Sequence, residues 1–279
     1  MTRIALIGAT GRIGKEILQL GLKDPSMQFV AGYSSPNSKD KNVDLGALVG
    51  QRNIGVLVSD TAKLAIEINQ CDVIIDFSTA EVVEKCLNNA VETKTPVVLG
   101  VTGLKPSTLK LIDDVSYKIP IIYEANFSLG MHTLSLAVEL ASKLLPSDFD
   151  VEITEAHHRH KKDAPSGTAL SLAKLIAQTR FGKVISNEQF VYGRQGFTGE
   201  RSTETIGLHS IRGGDIIGEQ TVLFAGPGER LELKYQAHSR AAFAQGVMFA
   251  ARFLAQQTQA KRYSMRDVIN FLQNNSDHH

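Results

Sequence analysis

The sequence predicts a doubly wound parallel α/β domain followed by an α+β domain with a mixed or antiparallel sheet of its own. Three observations predict it. Up to Ala125, short apolar runs rich in β-branched residues alternate with helical stretches, the pattern of a parallel sheet wound with helices on both faces. These runs are near-continuously apolar rather than alternating, as strands covered on both faces require. After Phe127 the order changes to a long helix, a strand, a helix and then three strands separated by glycine turns.

Taken in order, strands are expected at Ile4 to Ile7, Phe29 to Tyr33, Val56 to Val58, Val73 to Phe77, Val97 to Leu99 and Ile119 to Tyr123. Asp24-Pro25, Thr95-Pro96 and Ile119-Pro120 stand where helices must stop, because a proline disfavours helical backbone in the residue before it. A helix from Leu129 to Leu145 carries apolar residues at 134, 137, 138, 141, 144 and 145. A strand near Val151 to Ala156, a polar loop and a helix from Pro165 to about Thr179 follow. Three antiparallel strands, near Thr205 to Ile211, Ile217 to Phe224 and Arg230 to Ala237, are joined by turns at Gly213-Gly214-Asp215 and Gly226-Pro227-Gly228-Glu229. A helix from about Ala241 to Gln257 and a short one capped by Ser264 end the chain and are placed back on the first domain. Ser34 to Lys39 reads as the clearest flexible loop, and Asp277-His278-His279 as a frayed end.

Composition removes several function classes. Thirty Lys and Arg against 29 Asp and Glu give a net charge of +1, so there is no bulk electrostatic case for a nucleic-acid binder, and any anion site must be local. Runs such as Val97-Val98-Leu99 fall far short of the ~18 apolar residues that cross a bilayer, so no membrane partner is expected. Met1-Thr2-Arg3 leads straight into a strand-like run, no leader is read, and a cytoplasmic location is expected. Cys71 and Cys86 cannot make a disulfide framework, and no zinc pattern includes them.

Chemistry enters at the first strand. Gly8-Ala9-Thr10-Gly11-Arg12-Ile13-Gly14 joins that strand to a helix beginning near Arg12, the context a dinucleotide fingerprint demands. Gly8 permits a tight turn, Gly11 lets the backbone approach a pyrophosphate, and Gly14 lets helix and strand pack closely. Orphan N–H groups and the helix dipole supply the anion site. The plainer reading is a tight strand-to-helix connection; the five β units that follow favour the nicotinamide cofactor and a Rossmann-like sheet. No Gly-Lys-Ser/Thr follows, which excludes a P-loop kinase or ATPase. The acidic residue expected roughly 20 positions on, which binds a ribose 2′-hydroxyl and repels a 2′-phosphate, is absent. Tyr33-Ser34-Ser35 stands there, with Lys39, Asp40 and Lys41 beyond. Either the ribose faces solvent, or NADP is accepted at least as well as NAD, with Ser34 as a cofactor contact.

Asp76-Phe77-Ser78-Thr79, Gly100-Val101-Thr102-Gly103 and Glu124-Ala125-Asn126-Phe127 follow strands four, five and six. The first two lie at carboxyl ends of parallel strands, where open α/β sheets bind ligands, which brings in Phe77, Gly100, Val101 and Thr102. Ser78 or Thr79 serves equally well as the cap of a helix starting at Ala80. Glu124 to Phe127 reads as a hinge between domains.

Three of the eight histidines fall within Glu155-Ala156-His157-His158-Arg159-His160-Lys161-Lys162-Asp163-Ala164-Pro165-Ser166-Gly167-Thr168. Period two along the preceding strand puts Glu155 and His157 on one face, so the carboxylate orients or charge-stabilises that imidazole, and His157 is the acid/base candidate. Arg159, Lys161 and Lys162 make the stretch cationic in a neutral protein, which suits a small dianionic substrate. Pro165 suits a first helical turn, so the N–H groups of Ser166, Gly167 and Thr168 are expected to bind a carboxylate. A metal site would need ligands beyond His157, His158 and His160, with neither a nearby cysteine nor a His-Glu-x-x-His helix, and none is assigned. A solvated basic loop is the remaining plain reading. Residues 1–127 with 241–279 are thus expected to form a dinucleotide-binding domain, and 128–240 a substrate-binding and oligomerisation domain.

Other enzyme classes fail on their motifs. None of Tyr33, Tyr117, Tyr123, Tyr192, Tyr235 and Tyr263 has a lysine four residues on, as a short-chain dehydrogenase requires. Cys71 precedes a strand and Cys86 sits mid-helix, neither of which suits an aldehyde-type nucleophile. A non-catalytic dinucleotide sensor would have no use for the cationic His/Lys loop.

These residues resemble the dihydrodipicolinate (4-hydroxy-tetrahydrodipicolinate) reductase family of lysine and diaminopimelate biosynthesis. The resemblance runs through Gly8 to Gly14, Asp76 to Thr79, Gly100 to Gly103, Ala125 to Ser128, Glu155 to Thr168, Gly213 to Glu219 and Phe224 to Arg230. It implies hydride transfer from NADPH or NADH to a cyclic imine dicarboxylate, then protonation of the resulting enamine to give tetrahydrodipicolinate. By position it implies His157 as general acid/base, Lys161 as proton donor, and His158, Gly167 and Thr168 as substrate binders. It places cofactor contacts on Gly8, Ala9, Thr10, Gly11, Arg12 and Ile13, on Gly100, Val101 and Thr102, and on Glu124, Ala125, Asn126 and Phe127. It implies a homotetramer built through the second domain's sheet. The sequence departs from the family pattern at Ser34, where many members are acidic, at Ser35, where an arginine often follows, and at Glu124, which replaces a small residue.

Overall fold

The computed structural model describes residues 1–64, 71–182 and 189–276, and the terminal Asp277-His278-His279 lies outside them. The chain divides into two compact units, Met1–Leu129 with Arg240–His279, and Gly130–Ser239.

In the first unit, β1 (Thr2–Ile7), β2 (Met27–Ser34), β3 (Val58–Asp60), β4 (Val73–Asp76), β5 (Val97–Leu99), β6 (Ile121–Tyr123) and β12 (Arg262–Tyr263) form one parallel sheet in the order β12-β6-β5-β4-β1-β2-β3. Chain order reverses at β1, flanked by β2 and β4, which opens a crevice at the carboxyl ends of the central strands. Ile4 to Ile7 are fully buried because alternate residues serve opposite faces. Ile4 and Leu6 pack with Ile17 and Leu18 of α1 (Arg12–Gly21) and with Val247 and Met248 of α6 (Ala241–Leu254). Ala5 and Ile7 pack with Val83 and Leu87 of α2 (Ala80–Thr93) and Ile112 of α3 (Pro106–Ser116). Burying each such aliphatic side chain contributes about 1.5–3 kcal/mol.

Two details differ from the sequence reading. Parallel pairing in β3 begins at Val58, because the backbone at 56 and 57 is engaged antiparallel: Leu45 N–H donates to Val56 O at 2.9 Å, and Leu57 bridges Asp44. The two-residue β12, beside β6, is too short to show a period. Ser264 does cap α7 (Met265–Ser276), its N–H donating to the Asp267 carboxylate at 2.8 Å and its hydroxyl accepting from Asp267 N–H at 3.4 Å.

The second unit holds β7 (Asp150–His157), β8 (Phe190–Val191), β9 (Ile206–Arg212), β10 (Gly218–Gly226) and β11 (Glu229–Ala237), in the order β11-β10-β7-β9-β8. β7 runs parallel to β9 and antiparallel to β10. The expected run of three consecutive antiparallel strands is therefore corrected. β10 and β11 make a hairpin, but β9 and β10 do not pair, because β7 lies between them. β7 carries buried Val151, Ile153 and Glu155, and such a strand takes the centre of a sheet rather than an edge. The Gly213-Gly214 turn crosses its end: Gly213 N–H donates to His157 O at 3.0 Å, and Arg159 N–H to Gly214 O at 3.2 Å. Val138 of α4 (Leu129–Leu144) and Leu172 and Ile176 of α5 (Gly167–Phe181) cover one face, against Ile153, Val222 and Phe224.

Candidate active site

The glycine turn of the first unit is fixed by backbone contacts. Gly8 N–H and Ala9 N–H both donate to Tyr33 O, at 2.9 and 3.0 Å, which ties the turn to the end of β2 and buries Ala9. Gly8 has φ +85°, and a Cβ there would lie 2.5 Å from Phe77 O; at Gly14 it would lie 2.2 Å from Gly8 O. Gly11 is the N-cap of α1 without a side-chain cap, and the first turn holds no acidic residue. The N–H groups of Arg12 and Ile13 therefore lack helical acceptors and form an anion-binding end. A groove of about 210 Å³ runs past Gly8, Thr10, Gly11, Ser34 and Phe77. These residues fit a dinucleotide: a turn so tight that a Cβ at Gly8 or Gly14 would strike backbone brings the groove against helix-start N–H groups that have no acidic side chain beside them. Gly14→Ala is expected to destabilise the chain by about 1–3 kcal/mol, because the methyl meets backbone that cannot move aside. Thermal unfolding checks this, together with weakened dinucleotide binding in a fluorescence titration.

The other strand-end residues are arranged as follows. Phe77 leans on Phe127 with ring centroids 5.6 Å apart, and a Cβ at Gly100 would strike the Phe77 ring. Val101 is buried and Thr102 exposed. Neither Ser78 nor Thr79 caps α2 with its side chain. Ser78 instead gives its hydroxyl and N–H to Asp76 Oδ1, at 2.5 and 2.9 Å. Burial pushes the Asp76 carboxyl up from its ordinary value, against those bonds. In the segment after β6, Glu124 Oε1 accepts from Met265 N–H at 3.4 Å and Asn126 Oδ1 from Ser128 N–H at 2.8 Å; Ala125 is exposed and Phe127 buried. Lys41 pairs with Asp60 at 3.0 Å, and Lys15 lies 3.8 Å from Asp40.

In the second unit Glu155 and His157 share a face of β7, and Glu155 Oε2 lies 2.6 Å from His157 Nδ1. The Glu155 side chain is fully buried. Arg212 grips it with two parallel bonds, Nη2 to Oε1 at 2.7 Å and Nη1 to Oε2 at 2.9 Å. Burial pushes the Glu155 carboxyl up, but its bonds from Arg212, Ser210 and His157 prevail and it lies below its ordinary value. Burial also lowers His157, helped by the charges of Lys161 and Arg212 and opposed by Glu155. The imidazole is thus neutral at neutral pH, its Nδ1–H assigned to Glu155 from the short contact and its Nε2 turned away from that carboxylate bond.

Lys161 Nζ donates to both Asp163 oxygens at 2.9 Å. The rings of His158 and His160 stand 6.1 Å apart, and among the described residues His158 Nδ1 is buried without a partner. The start of α5 corrects the expected role of Pro165, which lies outside the helix. Ser166 is the N-cap: its hydroxyl accepts from Ala169 N–H at 3.2 Å and from Gln220 Nε2 at 3.3 Å, and its own N–H donates to Glu155 Oε1 at 3.2 Å. Ser166 is therefore a buried support, and the N–H groups left without helical acceptors are those of Gly167 and Thr168 at the first two helical positions. Among the described residues no three His, Cys, Asp or Glu converge as a metal site. Arg212 escapes a local reading because it reaches Glu155 from another strand, where the register pairs it with His157.

Comparison with known proteins follows this division. Residues 2–127 match the family described as "Dihydrodipicolinate reductase, N-terminus", and residues 130–269 match "Dihydrodipicolinate reductase, C-terminus". A 4-hydroxy-tetrahydrodipicolinate reductase of Alkalilimnicola ehrlichii is 42% identical over 269 residues, covering 96% of this chain and 98% of the relative. One from Acinetobacter baumannii is 41% identical over 267 residues, covering 96% of each. The solved dihydrodipicolinate reductase from Paenisporosarcina sp. TG-14, with dipicolinate bound, superposes with a TM-score of 0.73 at 26% identity, over 95% of this chain and 97% of that one. With both halves matched and relatives above 40% identity over nearly the full length, the chain belongs to the dihydrodipicolinate reductase family, NAD(P)H-dependent oxidoreductases of lysine and diaminopimelate biosynthesis.

Proposed function

We propose that the chain reduces 4-hydroxy-tetrahydrodipicolinate to tetrahydrodipicolinate with the dinucleotide held by Gly8 to Ile13 and the proton delivered by the Glu155 to Thr168 segment. When bound, the nicotinamide supplies the hydride. The observation that carries the reading is the 2.6 Å contact of buried Glu155 with His157 Nδ1, which leaves Nε2 as the one imidazole nitrogen able to exchange a proton with a reacting group. Lys161, on the loop that follows, holds an ammonium proton for transfer to the enamine carbon and replaces it through His157. The Gly167 and Thr168 N–H groups, the α5 dipole and His158 bind and orient the substrate carboxylates. Release of Lys161 from exposed Asp163 accompanies binding, since a dianion competes for the same ammonium. A homotetramer joined through the second unit's sheet, where Ile211 stands half exposed, and a cytoplasmic location belong to the same reading. Substrate-dependent oxidation of NADPH by the purified chain tests it: a chain that binds the dinucleotide but shows no such oxidation overturns it.

Cofactor choice follows from β2. Ser34 and Ser35 line the groove, so among the described residues no carboxylate of its lining repels a 2′-phosphate. Lys41 is held by Asp60, which leaves Lys39 to reach the phosphate, for about 0.2–1 kcal/mol when exposed. NADPH is expected to be used as well as NADH or modestly better, with a preference that shrinks as salt is raised. Ser34→Glu adds acceptor and repulsion together and swings the ratio toward NADH. Measured kcat/KM for both cofactors at low and high ionic strength decides this; a strong wild-type preference for NADH contradicts it.

A further inference from the structure

We propose that Arg212 is a positioning residue that holds the two proton-handling arms of this site, the His157 strand end and the Lys161 loop, in register with one guanidinium. The inference rests on the catalytic reading of His157 and Lys161 given above. Three Arg212 contacts carry it. Nη1 and Nη2 bond the two oxygens of Glu155, at 2.9 and 2.7 Å, and the same carboxylate meets His157 Nδ1 at 2.6 Å. Nη2 also donates to Asp163 O at 2.7 Å, and the Asp163 side chain takes Lys161 Nζ at 2.9 Å. One planar fork on β9 therefore fixes the carboxylate that aims the imidazole and, through Asp163, the loop that carries the ammonium.

The surroundings leave the guanidinium no substitute. Glu155 also takes the weaker Ser166 N–H bond, at 3.2 Å on Oε1, and a bond from the Ser210 side chain, but both donors are neutral, and no other cation than Arg212 reaches this carboxylate among the described residues. Among the described residues, the charged groups that act most on His157 are Glu155 of its own strand, Lys161 of the loop and Arg212 of β9. On β10 it is Gly218 that stands beside the imidazole, where a Cβ would lie 3.3 Å from Nε2. Glu155 Oε2 is shared between Arg212 Nη1 and His157 Nδ1, so removing the arginine leaves the carboxylate held only by the neutral Ser166 and Ser210 donors and hands its full charge to the imidazole. A lysine at 212 keeps a charge but cannot bridge two carboxylate oxygens and a carbonyl.

The test compares Arg212→Met, Arg212→Lys and His157→Gln in the full chain, reading kcat, dinucleotide affinity and the NMR titration of the His157 ring. In Arg212→Met the Glu155–His157 pair is expected to take up its proton at higher pH, and kcat to fall by about 10- to 100-fold, the scale of an ångström-sized misplacement, with dinucleotide affinity unchanged. Arg212→Lys is expected to titrate near wild type and to turn over about 3- to 10-fold more slowly, an intermediate rescue that loss of folding would not give. If Arg212→Met does not fold, Arg212→Lys decides: wild-type kcat in that variant overturns the proposal, as does wild-type kcat with an unmoved titration in Arg212→Met. If His157→Gln itself keeps its kcat, the catalytic reading fails and takes this inference with it; if His157→Gln is inactive while both arginine variants match wild type, the positioning role alone fails.

Discussion

His157→Gln is expected to lose turnover by about 10²- to 10⁴-fold while its affinity for the dinucleotide stays that of wild type. The loss is confined to turnover because His157 belongs to the second unit, whereas the glycine turn and its groove lie wholly in the first. Glutamine keeps a polar group of similar reach but cannot exchange a proton near neutral pH. The pH profile carries a second signature. Burial lowers the imidazole from its ordinary 6.5, with Lys161 and Arg212 assisting against Glu155, so the limb of the kcat/KM profile reporting His157 lies below that value and is absent from the variant. Steady-state kcat at saturating substrate, the pH dependence of kcat/KM and a dinucleotide titration check both; near-wild-type turnover in the glutamine variant would remove His157 from the chemistry.

Lys161→Ala is expected to raise KM for the substrate and lower kcat by about 100-fold or more, because a cation facing a dicarboxylate and a positioned proton donor disappear together. The side chain is only 21% exposed and sits in a salt bridge with Asp163, so its ammonium is held rather than free in solvent. Lys161→Arg separates the two roles. The guanidinium restores charge and much of the binding but does not release a proton at working pH, so KM recovers and kcat does not. A changed KM with untouched kcat in the alanine variant would reduce Lys161 to a binding residue.

The legible parts of this site share one property, that cause and effect lie close along the chain. Glu155 and His157 are two residues apart on a strand, and period two puts them on one face. Gly8, Gly11 and Gly14 fall within seven residues, where Gly8 takes a positive φ and a Cβ at Gly8 or Gly14 would strike backbone. The Ser264 cap is equally local. What escaped depends on pairing between distant segments. β7 takes the sheet centre between β9 and β10, which no turn residue announces, and that register alone brings Arg212 to Glu155. Pro165 reads as a helix start, yet Ser166 has the stronger claim because its hydroxyl reaches Ala169 N–H while its own N–H answers Glu155. Ser78 reads as a cap, but buried Asp76 two residues earlier takes its hydroxyl first.

Whether Glu155 to Thr168 works as a single acid–base unit is tested most directly by kcat of the double variant His157→Gln/Lys161→Ala at saturating dinucleotide. Groups that serve one proton transfer are strongly non-additive, since losing either already disables the step. The expected result is a double variant within about a factor of three of the slower single variant. A loss equal to the product of the two single losses would contradict a shared proton path and assign His157 and Lys161 to separate steps.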